Sequence, residues 1–214
     1  MKRRDFSTQL AIATLALPFA GIARAQGAPV EGQQYVKLSE PVPVDAAAGK
    51  VDVVEFFSYA CPHCNAFEPA IEAWARTLPP YVYFHRIPVP FLFNYENFQR
   101  IYYALEAMGQ VDAMQLKVFH AVHVEHQRLD TPDAIGAFMA KNGIDRTKFM
   151  SLFNSFAIQA KVRQAKQLAD AYKIDGVPTL GIQGRYNTSP SLAAGEEPAL
   201  RVASYLIERV HSGK

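Results

Sequence analysis

The run Val53-Val54-Glu55-Phe56-Phe57-Ser58-Tyr59-Ala60-Cys61-Pro62-His63-Cys64 constrains this chain more than any other stretch, because an apolar segment of strand length leads straight into the only two cysteines. Val51 to Ser58 has the near-continuous apolar character of a central strand covered on both faces, interrupted by Glu55. Residues three apart lie on one side of a helical turn, so Cys61 and Cys64 can meet disulfide geometry if a helix starts at Cys61. Pro62 suits the first helical position, where its missing N–H costs nothing. The free N–H groups of that first turn then favour a thiolate at Cys61, and His63 adds positive charge. The combination predicts a reactive cysteine.

Two blander uses of the sulfurs are weaker. A stapling disulfide closing so short a loop would add little stability. A zinc site needs two further ligands, and the only other cluster is His120, His123 and His126, whose spacing suits a solvated or satisfied helical face. No metal and no cofactor beyond a redox-active Cys61–Cys64 disulfide is expected.

The first residues contain Lys2-Arg3-Arg4, then the short apolar run Leu10 to Ala20, then Ala23-Arg24-Ala25 before Gln26. This is the pattern of a signal peptide cleaved near Ala25, and the run is shorter than the ~20 residues a membrane span needs. Arg3-Arg4 fits a twin-arginine signal and an ordinary secretion signal alike. Without residues 1–25 the chain keeps 189 residues with 18 basic and 19 acidic side chains, so no basic field for nucleic acid survives. In an oxidising compartment such as the periplasm, a single close cysteine pair points to chemistry rather than to stapling.

The rest of the chain reads as α/β. Tyr35 to Leu38 suggests a short strand, and a helix with Phe67, Ile71 and Trp74 on its buried face runs to about Leu78, with Pro69 expected to kink it. Tyr81 to Ile87 is the next strand, so strand–helix–strand implies a parallel crossover with the cysteines at the carboxyl end of the first strand. Residues 94–175 are helical throughout, with Thr131-Pro132 and Asp145 as helix starts and Asn142-Gly143 as a stop. They read as an insertion with its own small core. Strand character returns at Gly176 to Ile182, followed by a hairpin turn at Gln183-Gly184-Arg185-Tyr186 and a final helix carrying Leu200, Ala203, Ile207 and Val210. Phe91, Phe93 and Tyr95 are expected in the core between the two parts rather than in a peptide-binding wall. Glu55, an acid in a central strand, is expected to have a raised pKa suited to proton exchange with Cys64.

Phe56 to Cys64 together with Gly176-Val177-Pro178-Thr179 resembles the DsbA family of thiol:disulfide oxidoreductases. The resemblance covers the whole chain after residue 25. It implies a thioredoxin-like fold built from residues 26–93 and 176–214, with an inserted all-helical domain at 94–175. It further implies that Cys61 is the exposed nucleophile and Cys64 its buried partner. Val177-Pro178 matches a cis bond beside the cysteines that borders the substrate, and Glu55 matches the acid six residues before the nucleophile. Tyr59-Ala60 stands where two phenylalanines are usual, which changes the wall near Cys61 without touching the redox pair. Implied partners are newly exported cysteine-containing proteins and a DsbB-like quinone-linked membrane oxidase, with the chain acting as a monomer. The alternative is a redox-inactive chaperone or metal-binding module. Within the enzyme class the alternatives are an isomerase or a reductase, the isomerase disfavoured because no separate dimerisation segment precedes the thioredoxin-like part.

Overall fold

The computed structural model describes residues 27–213, so the expected leader and its cleavage point near Ala25 lie outside the described residues. In chain order the elements are β1 (Val36–Lys37), β2 (Val51–Phe57), α1 (Pro62–Ala75), β3 (Val82–Pro88), α2 (Tyr95–Ala107), α3 (Val111–His123), α4 (Pro132–Lys141), α5 (Arg146–Phe153), α6 (Phe156–Ala171), β4 (Thr179–Ile182), β5 (Tyr186–Thr188) and α7 (Glu196–His211). Among the described residues no helix is long and apolar enough to cross a membrane.

The five strands form one sheet in the order β1-β5-β4-β2-β3. Every residue of β2 is buried, as its apolar run requires. Burying a Val or Phe side chain contributes roughly 1.5–3 kcal/mol, so this strand anchors the core. It pairs parallel with β3, Val51 opposite Val82 through Phe57 opposite Pro88, and antiparallel with β4, Val53 opposite Ile182 through Phe56 opposite Thr179. Pro88 is tolerated because β3 is an edge strand. The second register matters most for the site: with Thr179 opposite Phe56, the preceding Val177-Pro178 lies beside the segment that runs from β2 into α1.

The turn between β4 and β5 has Gln183 and Gly184 both at positive φ, 52° and 62°, the conformation a two-residue hairpin favours. Gly184 has no alternative, since a Cβ there would strike the Val42 carbonyl. Gly181 is equally bound: a Cβ would press on the Tyr172 ring and lie 2.8 Å from Val54 Cγ1.

One face of the sheet, with Val51, Val53, Leu180 and Ile182, is covered by Phe67 and Ile71 of α1 and by Leu200, Ala203 and Ile207 of α7. On the other face Val54 and Phe56 pack against Ala169 and Tyr172 at the end of α6. The helices between β3 and β4 start as expected: Thr131 Oγ1 accepts the Ala134 N–H at 3.2 Å, and Asp145 Oδ1 accepts the Lys148 N–H at 2.9 Å. They do not close on a core of their own, however. Phe57, Tyr59, Cys61 and Cys64 belong to the same buried cluster as Ile101, Leu105, Met114, Val118 and Phe119. The carboxyl end of β2 and the turn into α1 carry the apolar side chains Phe57 and Tyr59, and the helices between β3 and β4 supply their cover.

Candidate active site

Cys61 ends a tight turn and caps α1. Its N–H reaches the Ser58 carbonyl at 3.0 Å, and its backbone is extended, φ −90° and ψ 118°, before Pro62 opens the helix. The Cys61 thiol lies at about pKa 6, well below the ordinary thiol range, chiefly because the Cys64 S–H donates to it. Burial opposes this, while the Cys64 and His63 N–H groups and then the His63 charge assist. These helix-start N–H groups favour the anion, although the Cys61 side chain makes no capping hydrogen bond to them. The Cys61 S–H donates to the Val177 carbonyl at 3.3 Å.

Cys64, on the inner face of α1, is fully buried, and burial pushes its thiol far up, so that it keeps its proton. One sulfur is made acidic and its neighbour is kept protonated. The Val177-Pro178 bond is cis. His63 and Pro62 are exposed at the helix start.

Three comparisons bear on this geometry. Residues 82–206 match a family model described as DSBA-like thioredoxin domain. The thiol:disulfide interchange protein DsbA of Bordetella parapertussis is 44% identical over 210 residues, covering 97% of this chain and 98% of that protein. The chain belongs to the DsbA family of thiol:disulfide oxidoreductases. DsbA of Pseudomonas aeruginosa is 41% identical over 209 residues, 98% of this chain and 97% of that one. Its crystal structure superposes with a TM-score of 0.82 at 43% identity, over 85% of this chain and 94% of that chain. A DsbA from Xylella fastidiosa superposes at 0.80 with 29% identity, over 86% and 98%. The family model matches the chain downstream of the cysteines, whereas the whole-chain relatives span them as well.

Within this DsbA-family site, Cys61 is less open than expected, at 5% exposure. The Val177 carbonyl covers it, and both sulfurs sit in the cluster that the inserted helices complete. Glu55 is fully buried and paired with an arginine, neither facing water nor bound to a lysine. Arg86, on the neighbouring strand and 6% exposed, donates from Nε to Glu55 Oε2 at 2.7 Å. From Nη2 it reaches Glu68 Oε1 at 3.0 Å and Glu72 Oε1 at 3.3 Å. Burial raises the carboxyls of both Glu55 and Glu68, with Arg86 pulling the other way. Glu55 Oε1 has no protein partner. The chain of contacts continues: Gln115 Nε2 donates to Glu68 Oε2 at 3.4 Å, and the Tyr59 hydroxyl donates to Gln115 Oε1 at 2.5 Å.

Sequence reasoning passes over Arg86, Glu68 and Gln115. Glu68 and Gln115 do leave a signal, because each sits on the apolar stripe of its helix, Glu68 next to Phe67 and Gln115 next to Met114. Phe93 and Tyr95 correct the expectation of a core position: they are 54% and 41% exposed, and only Phe91 packs against a buried cluster, with Val177. The three histidines also part ways. His120 and His126 are exposed, while His123 Nε2 lies 2.9 Å from the Tyr59 carbonyl. Among the described residues no group of three or more His, Cys, Asp or Glu is placed to hold a metal.

Proposed function

We propose that this oxidoreductase works as a donor of disulfides, passing the Cys61–Cys64 bond to exported polypeptides. A substrate thiolate attacks the Cys61 sulfur, the bond to Cys64 breaks, and a mixed disulfide forms on Cys61. Cys64 takes up one proton as it leaves, as its raised thiol demands. The second substrate thiolate then attacks the substrate sulfur and displaces Cys61 as a thiolate. The substrate loses two electrons, and the enzyme ends as a Cys61 thiolate beside a Cys64 thiol.

The observation that carries this direction is the opposed tuning of the two sulfurs. An anion held at about pKa 6 is a good leaving group, so the reduced protein is favoured over the disulfide. Glu55 is proposed to exchange a proton with Cys64, supported by its burial, its unpartnered Oε1 and the action of its charge on that thiol. Val177 and Pro178 are proposed to border the substrate, the Val177 carbonyl lying against the Cys61 sulfur.

The working place is proposed to be the periplasm, after cleavage near Ala25, with the chain a monomer reoxidised by a DsbB-like quinone-linked membrane protein. Oxidation of a reduced two-cysteine peptide by the purified disulfide form tests the reaction. One peptide disulfide should appear for each enzyme disulfide consumed, and Cys64→Ser, given the peptide in its disulfide form, should hold it on Cys61 as a mixed disulfide by thiolate exchange. A protein that binds the peptide without oxidising it would refute the reading.

A further inference from the structure

The turn that presents Cys61 contains one peptide unit, Tyr59–Ala60, held at both ends. Its N–H, on Ala60, donates to Ser58 Oγ at 3.1 Å. Its carbonyl, on Tyr59, lies 2.9 Å from Nε2 of His123, 64 residues away in the chain. His123 closes the last turn of α3 and is half-buried, its ring stacked on Phe119 with centroids 6.1 Å apart and planes 28° apart.

The same helix grips Tyr59 at two further points. Gln115, Phe119 and His123 recur every four residues and so form one stripe of α3. Gln115 accepts the Tyr59 hydroxyl at 2.5 Å, and the Phe119 ring meets the Tyr59 ring edge-on at 5.0 Å. Side-chain tip, ring and backbone of one residue are thus fixed by consecutive turns of one helix. Tyr59 is fully buried, and a buried carbonyl stripped of its donor is costly, so the His123 bond is not incidental.

We infer that His123 is a positioning residue for Cys61: through the Tyr59 carbonyl it fixes the peptide two residues before the sulfur, and with it the backbone from which Cys61 caps α1. The inference rests on the redox reading above and deepens it. The anion at Cys61 depends on the Cys64 S–H and on the His63 and Cys64 N–H groups, all of which are directional. A Tyr59–Ala60 unit free to rotate would let Cys61 drift off those donors. The inserted helices thereby reach the chemistry through α3.

Replacing His123 by leucine removes the donor, whereas glutamine places an amide N–H close to the same point. For His123→Leu the Cys61 thiolate midpoint, read by ultraviolet absorbance, is expected to rise by about one pH unit, and the equilibrium constant for oxidising glutathione to fall about tenfold, the scale of one hydrogen bond. His123→Gln is expected to restore both. His123→Asn, too short to reach, should follow leucine and serves if the leucine variant does not fold. Nitrogen NMR of the wild-type protein should find the proton of neutral His123 on Nε2.

Leucine at the wild-type midpoint, glutamine behaving like leucine, or a wild-type proton on Nδ1 alone would each overturn the inference. A wild-type midpoint near the ordinary ~8.5 of a free cysteine would instead refute the redox reading itself, and the inference with it.

Discussion

Replacing Arg86 by methionine probes the charge balance beneath the cysteines. The side chain is 6% exposed and serves Glu55, Glu68 and Glu72 at 2.7, 3.0 and 3.3 Å. Methionine retains much of its apolar stem but removes the cation, leaving two fully buried carboxyls uncompensated. Removing one partner of a buried pair costs about 3–5 kcal/mol. Proton uptake relieves part of that, since burial already holds both acids above the usual carboxylate range.

The same uptake sets the pH dependence. A buried acid with a raised pKa binds a proton in the native state that the unfolded chain has already released above about pH 4.3. Stability therefore falls as pH rises from the unfolded value towards the raised one, by at most about 1.4 kcal/mol per pH unit for each group. Without Arg86 the raised values go higher, and the loss extends further into the neutral range. Urea unfolding of the oxidised protein should show the variant's deficit smallest near about pH 5 and reaching about 3 kcal/mol by about pH 8. A deficit under about 1 kcal/mol at the higher pH, or one indifferent to pH, would refute the assignment of Arg86 as counter-charge.

Reduced wild-type protein, compared with Cys61→Ser, should gain stability as pH rises from about 6 towards the unfolded thiol value, and lose it again on acidification through about 6. Parallel unfolding curves across that window would count against a stabilised thiolate. Replacing His63 by leucine should weaken oxidation of glutathione by less than about tenfold, because its charge is the last of the contributions to Cys61; a larger fall would mean that it does more than add charge. Glu55→Gln should preserve the fold while altering the pH dependence of exchange at Cys64, and superimposable pH–rate profiles would remove Glu55 from the proton path.

Where sequence and structure agree, the governing physics is local. The apolar run of β2, Pro62 at the first turn of α1, the capping residues Thr131 and Asp145 and the Gln183-Gly184 turn each act within a few residues. Each can therefore be read directly. What escapes such reading is tertiary. Arg86 sits on a strand that reads as ordinary, and its role exists only because parallel pairing sets it beside Glu55 and because α1 turns Glu68 towards it. His123 reads as one of three surface histidines, and only the packing of α3 against the turn separates it from His120 and His126. The helical block departs from expectation for a related reason. Its periodicity shows that it has an apolar face, but not that Phe57 and Tyr59 are what this face covers. Phe93 and Tyr95 stay outside the core where the segment leading into α2 turns at Leu92 and Asn94, both at positive φ; they are partly exposed, with the Arg128 guanidinium over the Phe93 ring.

The rate at which Cys61 of the reduced protein is alkylated, followed against pH, tests the central claim most directly. A midpoint near 6 is the result expected from the Cys64 thiol and the helix-start N–H groups acting on that sulfur. A midpoint at about 8.5, the value of an unassisted cysteine, would contradict it.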